Sequence, residues 1–202
     1  MSATTIRIDL LRHGETAGSG RYCGSTDDTL TPRGREQMRS ALGEDCPWER
    51  VISSPLTRCA AFARELAQRR GLPFEIENRL REYHFGAWEG KSATELLTTD
   101  PKGIARFWKD PVRYPPPGSE DISHFQARVL EAWGELLARH AGKYLLIICH
   151  GGPIRIILGQ VQGMSLPERL RLEVPHASLS RVRIQTAAAG RDQTATVVAA
   201  GP

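Results

Sequence analysis

Two short apolar runs, Ile6 to Leu10 and Leu145 to Cys149, each lead into a His-Gly pair, and this repetition constrains the fold more than any other feature of the chain. The first continues as Leu11-Arg12-His13-Gly14-Glu15-Thr16, the second as His150-Gly151-Gly152. Both runs predict buried strands in the middle of a parallel sheet with helices on each face. In open α/β sheets, ligands bind at the carboxyl ends of strands. Each run therefore delivers an imidazole to such an end, and the first delivers a guanidinium as well. If the two strands are neighbours, the histidines stand about one strand spacing, ~5 Å, apart. A single loop histidine is an ordinary polar residue; two strand-His-Gly units in one chain are poorly explained by coincidence.

The remaining signals alternate strand and helix. Thr31 as cap with Pro32 behind it opens a helix to about Leu42. Arg50–Ser53 predicts a short strand, and Ser54-Pro55 repeats the cap-plus-proline signal for a helix that Gly71 ends. Phe74–Leu80 predicts a strand. Residues 84–122 are expected to be an irregular excursion, which in a compact α/β domain points to function. Ser123 with Gln126 predicts a capping box for a helix ended by Gly142, Lys143–Cys149 the second central strand, and Pro153 a helix to Val161. Leu179–Ile184 and Thr194–Ala199 are expected to be closing strands. The fold class expected is α/β, a three-layer α/β/α sandwich with a mostly parallel central sheet. No linker or repeat divides residues 1–202, which are expected to form one domain.

At 40% hydrophobic residues the chain can bury one sizeable core. Its net charge of +4 comes from arginines scattered along the chain, so neither a nucleic-acid tract nor a recognition motif is present. Arg64, Arg69, Arg70 and Arg139 are expected to be solvated surface. No apolar stretch is long enough to span a membrane, and Met1 to Thr5 lacks a basic flank and apolar core, so a cytoplasmic location is expected. Cys23, Cys46, Cys59 and Cys149 follow no CxxC spacing, which argues against a metal or disulfide framework.

An imidazole becomes a phosphoryl acceptor when it is kept neutral beside groups that offset phosphate charge. Arg58 falls in the first turn of the helix after Ser54-Pro55, where free N–H groups and the helix dipole already favour an anion. Transfer to a nitrogen also needs an acid for the departing alkoxide and then a base for water. Glu82 is a candidate, but spacing alone admits Glu89 or Glu120 equally.

Taken in order, Leu11-Arg12-His13-Gly14-Glu15-Thr16, Ser53-Ser54-Pro55-Leu56-Thr57-Arg58, Glu82 with Gly86-Ala87-Trp88-Glu89-Gly90, and His150-Gly151-Gly152 resemble the histidine phosphatase superfamily in its phosphoglycerate-mutase-like branch. The resemblance runs from about Ile6 to Ile184. It implies a phosphomonoester hydrolase with His13 as nucleophile, Arg12, Arg58 and His150 on the phosphoryl oxygens, and Glu82 as proton donor and later base. Gly14, Thr16, Gly24 and Gly151 are expected beside the substrate. No metal or cofactor is expected, the partner is a small phosphomonoester, and a homodimer is left open. The Tyr114-Pro115-Pro116-Pro117-Gly118 turn, His124–Val129 and Val174–Leu179 are most similar to α-ribazole 5′-phosphate phosphatases of cobalamin biosynthesis. A phosphoglycerate mutase or sugar-phosphate phosphatase is the alternative, and a non-catalytic phospho-ligand binder a remote one. Ser19, Cys23, Thr29, Ser119-Glu120-Asp121 and His176 depart from the family's pattern, and none of them is expected to touch the catalytic set. Trp88, Phe107 and Trp108 are open between core and pocket, and Tyr114 is the better candidate for a pocket wall.

Overall fold

The computed structural model describes residues 4–186 and 193–200. Its elements in chain order are β1 (Thr4–Arg12), α1 (Pro32–Leu42), β2 (Arg50–Ser53), α2 (Thr57–Arg70), β3 (Phe74–Ile76), α3 (Ala93–Thr99), α4 (Pro101–Lys109), α5 (Ile122–Arg139), β4 (Tyr144–Cys149), α6 (Gly151–Val161), α7 (Leu166–Leu170), β5 (Leu179–Thr186) and β6 (Gln193–Ala200). The strands form one sheet in the order β3-β2-β4-β1-β5-β6. The first four run parallel, and β5 and β6 are antiparallel additions on one side. The two His-bearing strands are neighbours, with Arg12 opposite Cys149, so both histidines leave the sheet side by side.

Strand side chains alternate between faces, and both faces here are covered. Ile6, Ile8 and Leu10 of β1, with Leu145 and Ile147 of β4, pack with Phe125, Val129 and Trp133 of α5 and Ile154 and Ile157 of α6. Leu11, Leu146 and Ile148 point the other way, into Met38 of α1 and Phe62 and Ala63 of α2. Fully burying aliphatic chains of this size contributes roughly 1.5–3 kcal/mol each, which is why the central strands carry so little polarity. The three-layer arrangement agrees with expectation.

Several local expectations need correction. Ser54 does not cap α2: its hydroxyl oxygen accepts from His150 and from Leu56 N–H (3.3 Å), ahead of the helix, which starts at Thr57 with Leu56 as cap. The strand from Phe74 stops at Ile76, since the Glu77 carboxylate accepts from Arg79 N–H and bends Asn78–Leu80 into a 3-10 turn. Asp121, not Ser123, caps α5, accepting from the N–H groups of Ser123 and His124. The helix after β4 begins at Gly151 rather than Pro153. Residues 84–122 are not irregular: they hold α3 and α4. Ser92 and Glu95 form a reciprocal capping box on α3, and Asp100 with Pro101 starts α4. Trp88, Leu96 and Ile104 give this excursion a small core of its own. Among the described residues no helix is long and apolar enough to cross a membrane.

Candidate active site

Because β1, β4 and β2 run parallel, their carboxyl ends share one edge, where His13, His150 and Ser53-Ser54 emerge. The rings of His13 and His150 lie 5.2 Å apart, edge to face, matching the spacing expected of neighbouring strands. His13 is 7% exposed, and its Nδ1 sits 2.9 Å from the Gly14 carbonyl. A carbonyl can only accept, so Nδ1 carries the proton and Nε2 keeps a free lone pair. Burial pushes the His13 pKa down to about 3; Arg58, Arg12 and His176 add to the effect, and the Gly14 contact opposes it. At neutral pH the ring is therefore an uncharged nucleophile whose Nε2 lone pair is not tied up by a hydrogen bond among the described residues.

Arg58 is 1% exposed, and four of its five N–H groups have protein partners. Nε donates to His150 Nδ1 (3.2 Å), Nη1 to Thr26 O (2.7 Å), and Nη2 to Cys23 O (3.1 Å) and Gly24 O (2.8 Å). One donor on Nη1 is left. With its Nδ1 accepting, neutral His150 donates from Nε2 to Ser54 Oγ at 2.7 Å. Burial first, and then Arg58 and His13, hold the His150 pKa well below the ordinary histidine value. Arg12 donates from Nη1 to Val174 O, while its buried Nε has no partner among the described residues. A buried unpaired N–H is costly unless something occupies it, so Arg12 and Arg58 together present donors to an anion.

The three carboxylates that spacing could not separate are distinguished by what holds them. Glu89 accepts from the backbone N–H groups of Gly24, Ser25, Thr26 and Phe85 and from the Thr26 hydroxyl. Glu120 is paired with Arg128 at 2.6 Å. Glu82 accepts only from Tyr83 N–H (2.9 Å) and Gly152 N–H (3.1 Å), and it alone of the three borders the cavity containing His13. That cavity, of about 180 Å³, is also lined by Arg12, Thr16, Arg58, Gly151, Arg155 and His176. A second cavity of about 260 Å³ adjoins it, sharing Tyr22, Glu82, Phe85 and Arg155. Its other walls are mainly apolar, among them Phe107, Trp108, Ile122, Phe125 and Leu170.

Of the residues expected at the site, the structure gathers Arg12, His13, Thr16, Arg58, Glu82 and Gly151 around one cavity, with His150 directly behind. Gly14 and Gly24 do not line it. A Cβ on Gly14 would strike the backbone of Gly34 in α1, and one on Gly24 would strike the Tyr83 carbonyl; both glycines permit close backbone approach. Trp88 is core, Phe107 and Trp108 face the second cavity, and Tyr114 lies instead between Arg106 and Arg113. Two departures from the family's pattern do touch the catalytic set: the His176 ring is 5.5 Å from His13, and the Cys23 carbonyl holds Arg58. Arg155 was not singled out in the sequence. Its place one turn into α6, four residues after Gly151 and so on the same helix face, was the available signal.

A sequence profile of the histidine phosphatase superfamily (branch 1) matches residues 8–191. Glucosyl-3-phosphoglycerate phosphatase of Mycolicibacterium vanbaalenii is 33% identical over 171 residues, 78% of this chain and 75% of that protein. Adenosylcobalamin/alpha-ribazole phosphatase of Salmonella typhimurium is 29% identical over 184 residues, 89% of this chain and 86% of that protein. The crystal structure of an alpha-ribazole phosphatase from Shigella flexneri superposes with a TM-score of 0.80 at 28% identity, covering 97% of this chain and 96% of the other. The chain spans about half the length of the curated mycobacterial relatives that it matches at 31% identity.

Proposed function

The chain belongs to the histidine phosphatase superfamily (branch 1), and on that premise we propose that it hydrolyses phosphate monoesters through a phosphohistidine. The observation that carries the proposal is a neutral His13 with Nε2 free, set in one cavity with Arg12, Arg58 and Glu82. His13 Nε2 attacks phosphorus as the P–O bond to the alcohol breaks, and Glu82 in its acid form gives the leaving oxygen a proton. The Glu82 carboxylate then takes a proton from water, which attacks the phosphohistidine; the P–N bond breaks and inorganic phosphate leaves. Arg12 and Arg58 meet the oxygens on which charge accumulates, each such contact being worth about 3 kcal/mol by comparison with oxyanion donors. His150 backs Arg58; to reach a phosphoryl oxygen its ring must exchange one of its present partners.

For substrate, we propose a phosphate ester whose organic part ends in a flat aromatic group, α-ribazole 5′-phosphate first. The apolar second cavity supports this, since Trp108 and Phe107 offer a flat base a stacking surface that a small acid cannot use. The names of the Salmonella and Shigella relatives point the same way, whereas that of the Mycolicibacterium relative favours a glycosylated phosphoglycerate. The test is kcat/KM for α-ribazole 5′-phosphate against glucosyl-3-phosphoglycerate, phosphoserine and 3-phosphoglycerate, with a separate mutase assay. The ribazole ester is expected to lead, and Trp108→Ala to raise its KM by about tenfold, the loss of one stacking partner at about 1.4 kcal/mol. A lead for any of the acids, or efficient mutation of 3-phosphoglycerate, overturns the substrate and leaves the phosphohistidine chemistry standing.

A further inference from the structure

We infer that Arg128 is a positioning residue for the proton-transferring carboxyl of Glu82, an inference that rests on the proposed acid role of Glu82. Arg128 lies on α5, outside both cavities, yet all five of its N–H groups are used. Nε and Nη2 grip the Glu120 carboxylate in a bidentate pair at 2.6 and 2.8 Å. Nη1 donates to Arg79 O (2.5 Å) and Arg81 O (2.8 Å), and Nη2 also donates to Glu82 O (3.1 Å). Three carbonyls within four residues thus converge on one guanidinium, and the last belongs to Glu82 itself.

Side chains anchor the stretch at Leu80 and Tyr83 in the core and at Arg79 on Glu77 and Glu135. The grip matters because, among the described residues, the carbonyls of Arg79, Arg81 and Glu82 have no donor other than Arg128. Asn78–Leu80 is a single 3-10 turn, and Arg81 to Phe85 belongs to no regular element. The Glu82 carboxylate is aimed by two N–H contacts, from Tyr83 and Gly152. Gly152 is on α6, so the geometry holds only while the 79–82 backbone stays in register with that helix. Arg128 supplies the register from α5, which packs on α6 through the core. Its guanidinium also lies 4.8 Å over the ring of Phe125, a wall of the second cavity. Displacing a reacting group by about 1 Å can cost on the order of 100-fold, so a slack segment would cost proton transfer before it cost phosphate binding.

The test is the ratio of kcat/KM for 2-phenylethyl phosphate, whose alkoxide needs a proton, to that for 4-nitrophenyl phosphate, whose leaving group does not. This ratio is independent of the fraction of active enzyme, so partial unfolding does not move it. Glu82→Gln is expected to lower the ratio by about 100-fold, the lower end of general acid catalysis. Arg128→Lys keeps the charge and loses the five-donor fork, and is expected to lower the ratio about tenfold. In the Glu82→Gln background it should change the ratio no further. Glu120→Gln, which leaves Arg128 its donors but loosens it, is expected to give a smaller drop and serves if the lysine variant does not fold. If Glu82→Gln lowers the ratio while the folded Arg128 or Glu120 variant leaves it unchanged, the inference falls and the acid role stands. If Glu82→Gln leaves the ratio unchanged, the acid role falls and the inference with it.

Discussion

At His13, burial and the neighbouring guanidiniums oppose protonation, which sets a measurable expectation. The kcat/KM profile reports ionisations of the free enzyme. An imidazole at the ordinary value of 6.5 loses about 25-fold of its neutral form on going from pH 7 to pH 5, whereas one held near 3 loses almost none. Rapid-quench measurement of phosphoenzyme formation is therefore expected to show no imidazole loss of about 25-fold between pH 7 and pH 5, and His13→Ala should form no adduct. Both His-Gly pairs and Arg58 were legible in the sequence because strand ends and helix starts are local signals. The acid was not: Glu82, Glu89 and Glu120 differ in what binds them, and those partners lie up to 70 residues away in sequence. Arg155 and His176 were missed as site residues for the same reason, since their place beside His13 is a product of how α6 and the segment before β5 pack.

Among the elements, α1 passes so close to the end of β1 that two glycines face each other. A Cβ on Gly34 would meet the Glu15 backbone, and one on Gly14 would meet Gly34. Helix propensity favours alanine over an interior helix glycine by about 0.8–1.0 kcal/mol, but a collision with backbone cannot be relieved by a rotamer change and overpacking costs about 1–3 kcal/mol. The collision wins, so Gly34→Ala is expected to destabilise the protein by about 1–2 kcal/mol and to lower turnover, since the strain falls next to His13. Gly134→Ala, on α5 with nothing within 4 Å of the new methyl, should instead gain about 1 kcal/mol from propensity. Urea midpoints of the two variants check both signs. The strands, α1 and the sheet's parallel core were legible from apolar runs and Pro signals. The starts of α2 and α5 were not, because serine and aspartate compete for the cap and Ser54 accepts from Leu56 N–H ahead of the helix. The helices of residues 84–122 were overlooked although Ser92-Ala93-Thr94-Glu95 and Asp100-Pro101 announced them.

For the molecule as a whole, His13, His150 and His176 are all folded in neutral form, with pKa values about 3, well below 6.5, and about 4. The unfolded chain takes up protons on these rings as the pH drops below 6.5, while the folded one does not until much lower. Their contribution to stability is therefore fully present above 6.5 and is lost as the pH falls toward 4 and 3. Each ring that stays neutral adds about 1.4 kcal/mol per pH unit to that slope where burial is complete, and less at the partly exposed His176. Melting temperature is expected to decline from pH 7 to pH 4.5, and His176→Asn, which cannot titrate, to flatten the decline. An unaltered slope in that variant would mean that His176 titrates alike folded and unfolded.

The loop between β1 and α1 joins Arg58 to Glu89 without letting them touch. The peptide unit between Cys23 and Gly24 turns its oxygen to Arg58 and its nitrogen to Glu89, and the unit between Gly24 and Ser25 does the same. Two peptide dipoles thus stand side by side, both aligned between a buried cation and its distant counter-charge, each polarised from both ends. The cation is solvated by amide oxygens as it would be by water, which is how a guanidinium can be almost wholly buried at a tolerable Born energy. Because no carboxylate lies in contact with it, its field is not cancelled at short range. A dianion arriving beside His13 therefore meets a guanidinium that carbonyl dipoles hold in place but that no contacting carboxylate neutralises.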